Sequence, residues 1–195
     1  FTKIFDLEYT SSGSYPAGDL VSDGTYLFTT MPSGGAHGSG TIIKIKPDGS
    51  GFAKLFDFNN YTGSNANGSL VLNGTHLYGM CRNGGGNSQG TIFRIETDGT
   101  GFTKTLDLTD GRNPQGSLIS DGTFLYGMAT NGGANGSGVI FKTSLTPFVS
   151  ISNIVPQDAV VGTYITLNGI GFDPVAANNV VKFNGTTAVV KSETD

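Results

Sequence analysis

Residues 68–108 read GSLVLNGTHLYGMCRNGGGNSQGTIFRIETDGTGFTKTLDL, and this stretch decides the fold. It holds four short runs rich in β-branched and aromatic residues: GSLVL (68–72), HLYGMCR (76–82), TIFRIE (91–96) and FTKTLDL (102–108). We designate them A to D. Asn73-Gly74 between A and B, and Asp98-Gly99 between C and D, offer the positive φ angles of a tight hairpin turn. The longer B–C connection carries the pair Gly84-Gly85. The reading is four antiparallel strands in chain order.

Working outward, the same pattern returns on both sides. GDLVSDGTYLFTTM (18–31) and GSLISDGTFLYGMA (116–129) repeat the A and B runs; GGAHGSGTIIKI (34–45) and GGANGSGVIFKT (132–143) repeat the loop and C run. FTKIFDL (1–7) and FAKLFDF (52–58) repeat D. The period is about 50 residues, the length of a four-stranded propeller blade. A β-solenoid would show shorter repeats. The expectation is an all-β chain of β-propeller-type four-stranded antiparallel blades over 1–143, divided as 1–58, 59–108 and 109–143, with the first D strand (1–7) permuted ahead of its blade. Leu20, Leu27, Ile43, Leu70, Leu77, Phe93, Leu118, Leu125 and Phe141 are expected to build the repeated core. After Thr143 the pattern stops, because SLTPF (144–148) replaces the turn and D strand. Three blades are too few to close a ring. Either further blades belong to a longer chain, or residues 1–7 complete the third blade of another copy.

Composition agrees with this reading. Gly supplies 31 of the 195 residues and Pro 7, which is incompatible with long helices because each interior Gly costs about 1 kcal/mol there. No apolar run approaches the ~18 residues of a membrane helix, so membrane insertion is not expected. Net charge is -4 and the 11 Lys and Arg are scattered, so nucleic acid is not an expected partner. One cysteine, Cys81, permits no internal disulfide. The opening at Phe1 rather than Met suggests a processed or partial product.

Two resemblances extend the reading. Leu-Tyr-Gly (77–79, 125–127), Asn-Gly-Gly (83–85, 131–133) and Gly-Thr-Ile-Phe (90–93) make residues 1–143 similar to the GloVer tandem repeat of bacterial surface proteins. Blade one departs from it, with Phe28-Thr29 for Tyr-Gly and Ser33 for Asn. That resemblance implies a cell-surface location and no catalytic role. The tail resembles an IPT/TIG module through Pro156, GTYITLNGIGF (162–172) and VVKFNGTTA (180–188). It implies a partial, incomplete immunoglobulin-like β-sandwich over 148–195, about half of such a module, whose inner face needs further strands.

Chemistry-bearing residues are few. His37 and His76 do not align between repeats, and the odd separation of His76 from Cys81 puts them on opposite faces of one strand. No metal site or cofactor is expected, and Cys81 is expected to be a small buried apolar side chain. Asp6, Asp57 and Asp107 recur in each D run, where a carboxylate accepting backbone amides would fix a blade edge. The Gly-rich loops precede strands and lack the Gly-Lys-Ser/Thr ending of a phosphate cradle. In a propeller the B–C and D–A loops share one face, which makes Tyr9, Tyr15, His37, Tyr61, Arg82, Asn83, Asp110, Arg112 and Asn131 the ligand-face candidates. Asn60, Asn67 and Asn135 stand in N-x-Ser/Thr patterns in loops and are candidate glycan acceptors.

The expectation that follows is a non-enzymatic extracellular or cell-surface structural and adhesive repeat protein. Its partners would be other copies of itself or further blades, and surface glycans. A self-assembling filament protomer completed by strand exchange through residues 1–7 is one form of it. A lectin-like propeller module is the alternative, and a polysaccharide-active enzyme fragment the third.

Overall fold

The computed structural model describes residues 1–145, 150–156, 164–170, 181–183 and 186–189. The chain forms two units, Phe1–Leu145 and Thr146–Asp195. Every regular element among the described residues is a β-strand.

The first unit holds three antiparallel sheets. Strands β1 (Val21–Ser22), β2 (Leu27–Met31), β3 (Thr41–Ile45) and β4 (Ala53–Asp57) make the first, in the order β1-β2-β3-β4. Strands β5 (Val71–Asn73), β6 (His76–Cys81), β7 (Thr91–Glu96) and β8 (Thr103–Asp107) repeat that order in the second. The third contains β10 (Ile119–Ser120), β11 (Phe124–Asn131) and β12 (Val139–Ser144), with β9 (Arg112–Pro114) also paired to β11. The registers repeat residue for residue. Leu27 faces Ile45, Leu77 faces Ile95 and Leu125 faces Thr143. A bulge recurs too: the D strand slips between Ile42 and Ile43 in the first sheet, and between Ile92 and Phe93 in the second.

The core lies between sheets. Phe28 and Ile42 of the first sheet are buried against Ala66, Leu70, Leu77, Cys81, Phe93 and Ile95 of the second repeat. Tyr78, Met80 and Ile92 on the far face of the second sheet are buried against Leu118 and Leu125 of the third. One face of each sheet therefore covers the opposite face of the next, so a sheet lacking a neighbour leaves apolar side chains in water.

The repeats meet at the glycines that precede their first strands. A Cβ on Gly18 would run into the carbonyl of Gly68, and one on Gly68 into the carbonyl of Gly116. Ser69 ties the same place together, accepting the Asp19 amide at 2.8 Å and donating to the Asp19 carboxylate at 2.9 Å. At the fourth strands the repeats are held apart by rings: Phe56 stacks on Phe102 with centroids 3.6 Å apart.

Three sequence expectations need correction. The A run forms only its last residues as strand; ahead of them Asp19 and Ser69 hydrogen-bond to the adjacent repeat, and Gly18 and Gly68 lie against its backbone. Residues 1–7 form no strand, since no described C strand lies beside them. They nevertheless occupy the place of a D strand next to the first repeat. Phe5 stacks on Phe52 at 4.6 Å as Phe56 does on Phe102, and Gly49 backs onto Ile4 as Gly99 does onto Leu55. Leu20 is 58% exposed, whereas its counterparts Leu70 and Leu118 are 5% and 4% exposed, because among the described residues no sheet packs on it as the first and second sheets pack on those two.

The second unit is described as two hairpins. Strands β13 (Ser150–Val155) and β14 (Thr166–Ile170) pair antiparallel, as do β15 (Val181–Phe183) and β16 (Thr186–Ala188). The rest of the 148–195 segment read as immunoglobulin-like lies outside the described residues.

Candidate functional site

Each D–A connector lies along the end of the following B strand. Ser14 bridges Ser33, Ser64 bridges Asn83, and Arg112 pairs with Asn131. The connector then touches the Gly-Gly loop. The amide of Gly35 donates to the Tyr9 carbonyl at 2.7 Å, that of Gly85 to the Asn60 carbonyl at 2.8 Å, and that of Gly133 to the Asp110 carboxylate at 3.0 Å. The D–A connectors and B–C loops thus share one region in each repeat.

The recurring D-run carboxylates serve these loops. Asp57 Oδ1 accepts the Ala36 amide at 2.8 Å and Asp107 Oδ1 accepts the Gly86 amide at 3.1 Å. Both also pair with a lysine three residues earlier, Lys54 at 2.7 Å and Lys104 at 2.9 Å. Asp6 pairs only with Lys3, in an exposed bridge. Gly85 explains its residue type here. Its φ is +81°, and a Cβ would press into the Asp107 carboxylate.

A second repeated device escaped the sequence reading. Tyr15, Asn65 and Asn113 occupy equivalent connector positions with φ of 59°, 61° and 56°. Asn tolerates the left-handed region, while Tyr does so only under constraint. At Asn65 this geometry aims the N–H at the Ser39 carbonyl of the first repeat (3.1 Å), while the carbonyl accepts the Arg82 amide of the second (3.0 Å). Asn113 does the same one repeat later, donating its N–H to Gln89 at 3.0 Å and its Nδ2 to Asn83 Oδ1 at 3.0 Å. The left-handed residue staples one repeat to the next. The only sequence signal is a following small or imino residue: Pro16, Ala66 and Pro114.

The ligand-face candidates divide into groups. Asp110, Arg112 and Asn131 line one open cleft of about 600 Å³, together with Gln89, Asn113 and Gly133. Asn83 joins this group through Asn113, whereas the Arg82 amide donates to the Asn65 carbonyl, which does not line the cleft. Tyr9 and His37 belong to the first repeat's loop, with the Tyr9 hydroxyl beside Gly38. Tyr15 is 76% exposed and Tyr61 72%. The Tyr61 ring carries the Lys104 ammonium 4.0 Å from its centroid, which occupies its face. Asn60 and Asn135 are exposed, and Asn67 is half-buried beside the glycine seam.

The remaining chemistry is committed to packing. His76 Nε2 lies 2.7 Å from Glu96 Oε1, its cross-strand partner. Cys81 is fully buried, which pushes its thiol up to about 12 and leaves almost no thiolate at neutral pH. Burial likewise raises the Tyr78 phenol, whose hydroxyl donates to the Leu145 carbonyl at 3.1 Å. Asp121 is held down to about 2, first by the Tyr126 hydroxyl at 2.6 Å and then by the Phe124 and Thr123 amides. The arrangement can order loops and present polar groups, with carboxylates spent on backbone amides.

No curated protein matches the chain. The family match spans residues 1–181, which carries it past 143 into the segment resembling an IPT/TIG module. The residues that fix sheets, glycine seam and connector staples all lie within that span, and the chain belongs to the Gloeobacter/Verrucomicrobia repeat family.

Proposed function

We propose that this chain is a non-enzymatic structural and adhesive repeat module of the bacterial cell surface. The carrying observation is that one set of contacts recurs between repeats, the glycine seam, the aromatic stack and the left-handed staple, which suits a chain whose repeats serve as stacked building units. Asp57 and Asp107 are bonded to loop amides and lysines, a role that stabilises a blade edge. The sheets are read as propeller-type blades, fanning from a seam where backbones touch to an outer side where rings separate them. The 148–195 segment is read as an immunoglobulin-like module. Protease added to intact cells tests the surface reading. The chain should be degraded while a cytoplasmic marker survives; full protection of the chain in intact cells would defeat it.

A glycan-binding role is the second reading, favoured by the cleft that gathers Asp110, Arg112 and Asn131 between two repeats. Charged and amide side chains in such a cleft suit sugar hydroxyls. On a glycan array the chain should retain a defined set of sugars, and Arg112→Ala should lose them. Equal retention by that variant would remove the cleft from consideration. Asn60 and Asn135 are the exposed acceptors to inspect for glycan mass on natural material.

A further inference from the structure

Seven asparagines of this chain precede a glycine, and the structure separates them sharply. In such a pair the glycine nitrogen can attack the asparagine side chain, because no Cβ shields it. The attack needs an asparagine in water, open space beside the glycine, and a glycine amide not already donating a hydrogen bond. Asn67 is half-buried and Gly68 lies against the Gly116 carbonyl. Asn83 exchanges backbone hydrogen bonds with Ser64, its Oδ1 accepts Asn113 Nδ2, and Gly84 backs onto the Asn60 carbonyl. Asn131 pairs with Arg112, and Gly132 backs onto the Gly111 backbone. Asn135 and Gly136 are open, but the Gly136 amide donates to the Gly133 carbonyl at 3.0 Å. Asn168 and Gly169 lie within β14, paired to β13, and Asn184 lies outside the described residues. That leaves Asn73.

Asn73 and Gly74 are exposed, and nothing lies within contact of a Cβ at Gly74. The other two repeats show what is missing here. They turn through Ser-Asp-Gly at 22–24 and 120–122, where the second repeat has Leu72-Asn73-Gly74. Ser22 Oγ accepts the Gly24 amide at 3.0 Å, and Ser120 Oγ accepts that of Gly122 at 3.0 Å. Leu72 has no hydroxyl, and among the described residues no hydrogen bond holds the Gly74 amide. Asp23 and Asp121 each accept two backbone amides on Oδ1, which fixes those side chains; no such pair forms at Asn73.

We propose that Asn73 is a site of spontaneous covalent modification, where the side-chain amide is lost through a succinimide. The Gly74 nitrogen bonds to Asn73 Cγ, the Cγ–Nδ2 bond breaks, and the displaced amine takes the Gly74 amide proton to leave as ammonia. Water then opens the ring, and no other reactant enters. Cleavage at Cγ gives aspartate, the residue that the other two repeats already carry at this turn. Cleavage at the backbone carbonyl gives isoaspartate, which adds one carbon to the main chain between β5 and β6. Leu72 faces Leu77 and Val71 faces Tyr78 across that hairpin, so isoaspartate loosens the first strand of the second repeat.

Peptide mapping by mass spectrometry of the folded chain, held at neutral pH, should find the amide-to-acid mass change at Asn73 first, in two separable products. Asn135 should lag by roughly tenfold, about the worth of one hydrogen bond on the attacking amide. In urea the two positions should react alike. Asp23→Asn should stay intact because Ser22 still holds the Gly24 amide, whereas Ser22→Ala with Asp23→Asn should react as Asn73 does. Both positions are exposed, so both variants keep the fold. Equal rates at Asn73 and Asn135 in the folded chain, an excess at Asn73 that persists in urea, or equal loss from the two first-repeat variants overturns the proposal.

Discussion

The second and third repeats share a sequence pattern and differ in one strand. In the second, β8 closes the outer edge, and the first and third repeats cover both faces. In the third, the outer strand has no partner beyond β11 among the described strands, and one face is open. Equivalent residues consequently live in different solvents. Ile92 is fully buried and Ile140 is 82% exposed, although both sit in the C run after a Gly-rich loop. The difference teaches that burial in this protein is a property of neighbouring repeats. A single repeat cannot cover its own apolar faces, which is the general situation of repeat architectures.

The contrast is broken most directly by truncating that one position twice. Ile92→Ala should cost about 2–5 kcal/mol by opening a cavity between the second and third sheets. Ile140→Ala, at a side chain largely in water, should stay within about 0.5 kcal/mol. Urea titrations of both variants check this, and equal costs would contradict the interface. Leu77→Ala, at the other face of the second sheet, should match Ile92→Ala.

Gly68→Ala targets the seam itself. Its Cβ would collide with the Gly116 carbonyl, so the second and third repeats must separate. Overpacking of this kind costs about 1–3 kcal/mol. Calorimetry should show the third repeat melting ahead of the first two. One transition at the original midpoint would show that the seam yields freely.

Asp107→Ala removes the acceptor for the Gly86 amide and the partner of Lys104. Both carboxylate contacts are partly solvated, so about 1 kcal/mol is expected. Asp6→Ala, which loses only an exposed bridge to Lys3, should be neutral. Hydrogen exchange of the Gly86 amide should quicken in the first variant and stay as before in the second.

The smallest effect is an acid one. The folded chain holds Asp121 down to about 2 against an ordinary 3.8, through the Tyr126 hydroxyl and two amides. A depressed carboxylate stabilises the fold above its unfolded value, and the contribution disappears as pH falls from about 4 toward 2. Asp23 is lowered in the same way by the Tyr26 and Thr25 amides, whereas the second repeat has Asn73 at this turn. Asp121→Asn should flatten the fall of melting temperature across that window. An unaltered slope would remove the turn from the acid response.

Much of the fold was legible because repetition and turn chemistry are local. Asn73-Gly74 and Asp98-Gly99 sit where the hairpins turn, and the strand order follows from consecutive pairing. Leu70, Leu77, Phe93, Leu118 and Leu125 are buried as the pattern required. The site was legible in part. Loop membership grouped Asp110, Arg112 and Asn131, but the left-handed staple at Asn65 and Asn113 had only a following small or imino residue to betray it. A positive φ in a non-glycine residue reflects the contacts that hold it, and those come from another repeat.

The amino-acid order alone determined that this chain makes four-stranded units at a period of about 50 residues, since alternation and turn residues act over a few positions. It also determined membership of a repeat architecture. Tertiary structure decided which copies of an identical pattern are wet or dry, as at Leu20, Leu70 and Leu118. It decided too that residues 1–7 stand beside a sheet without joining one. Strand pairing and burial each need a second surface, and only the spatial arrangement of repeats supplies or withholds it.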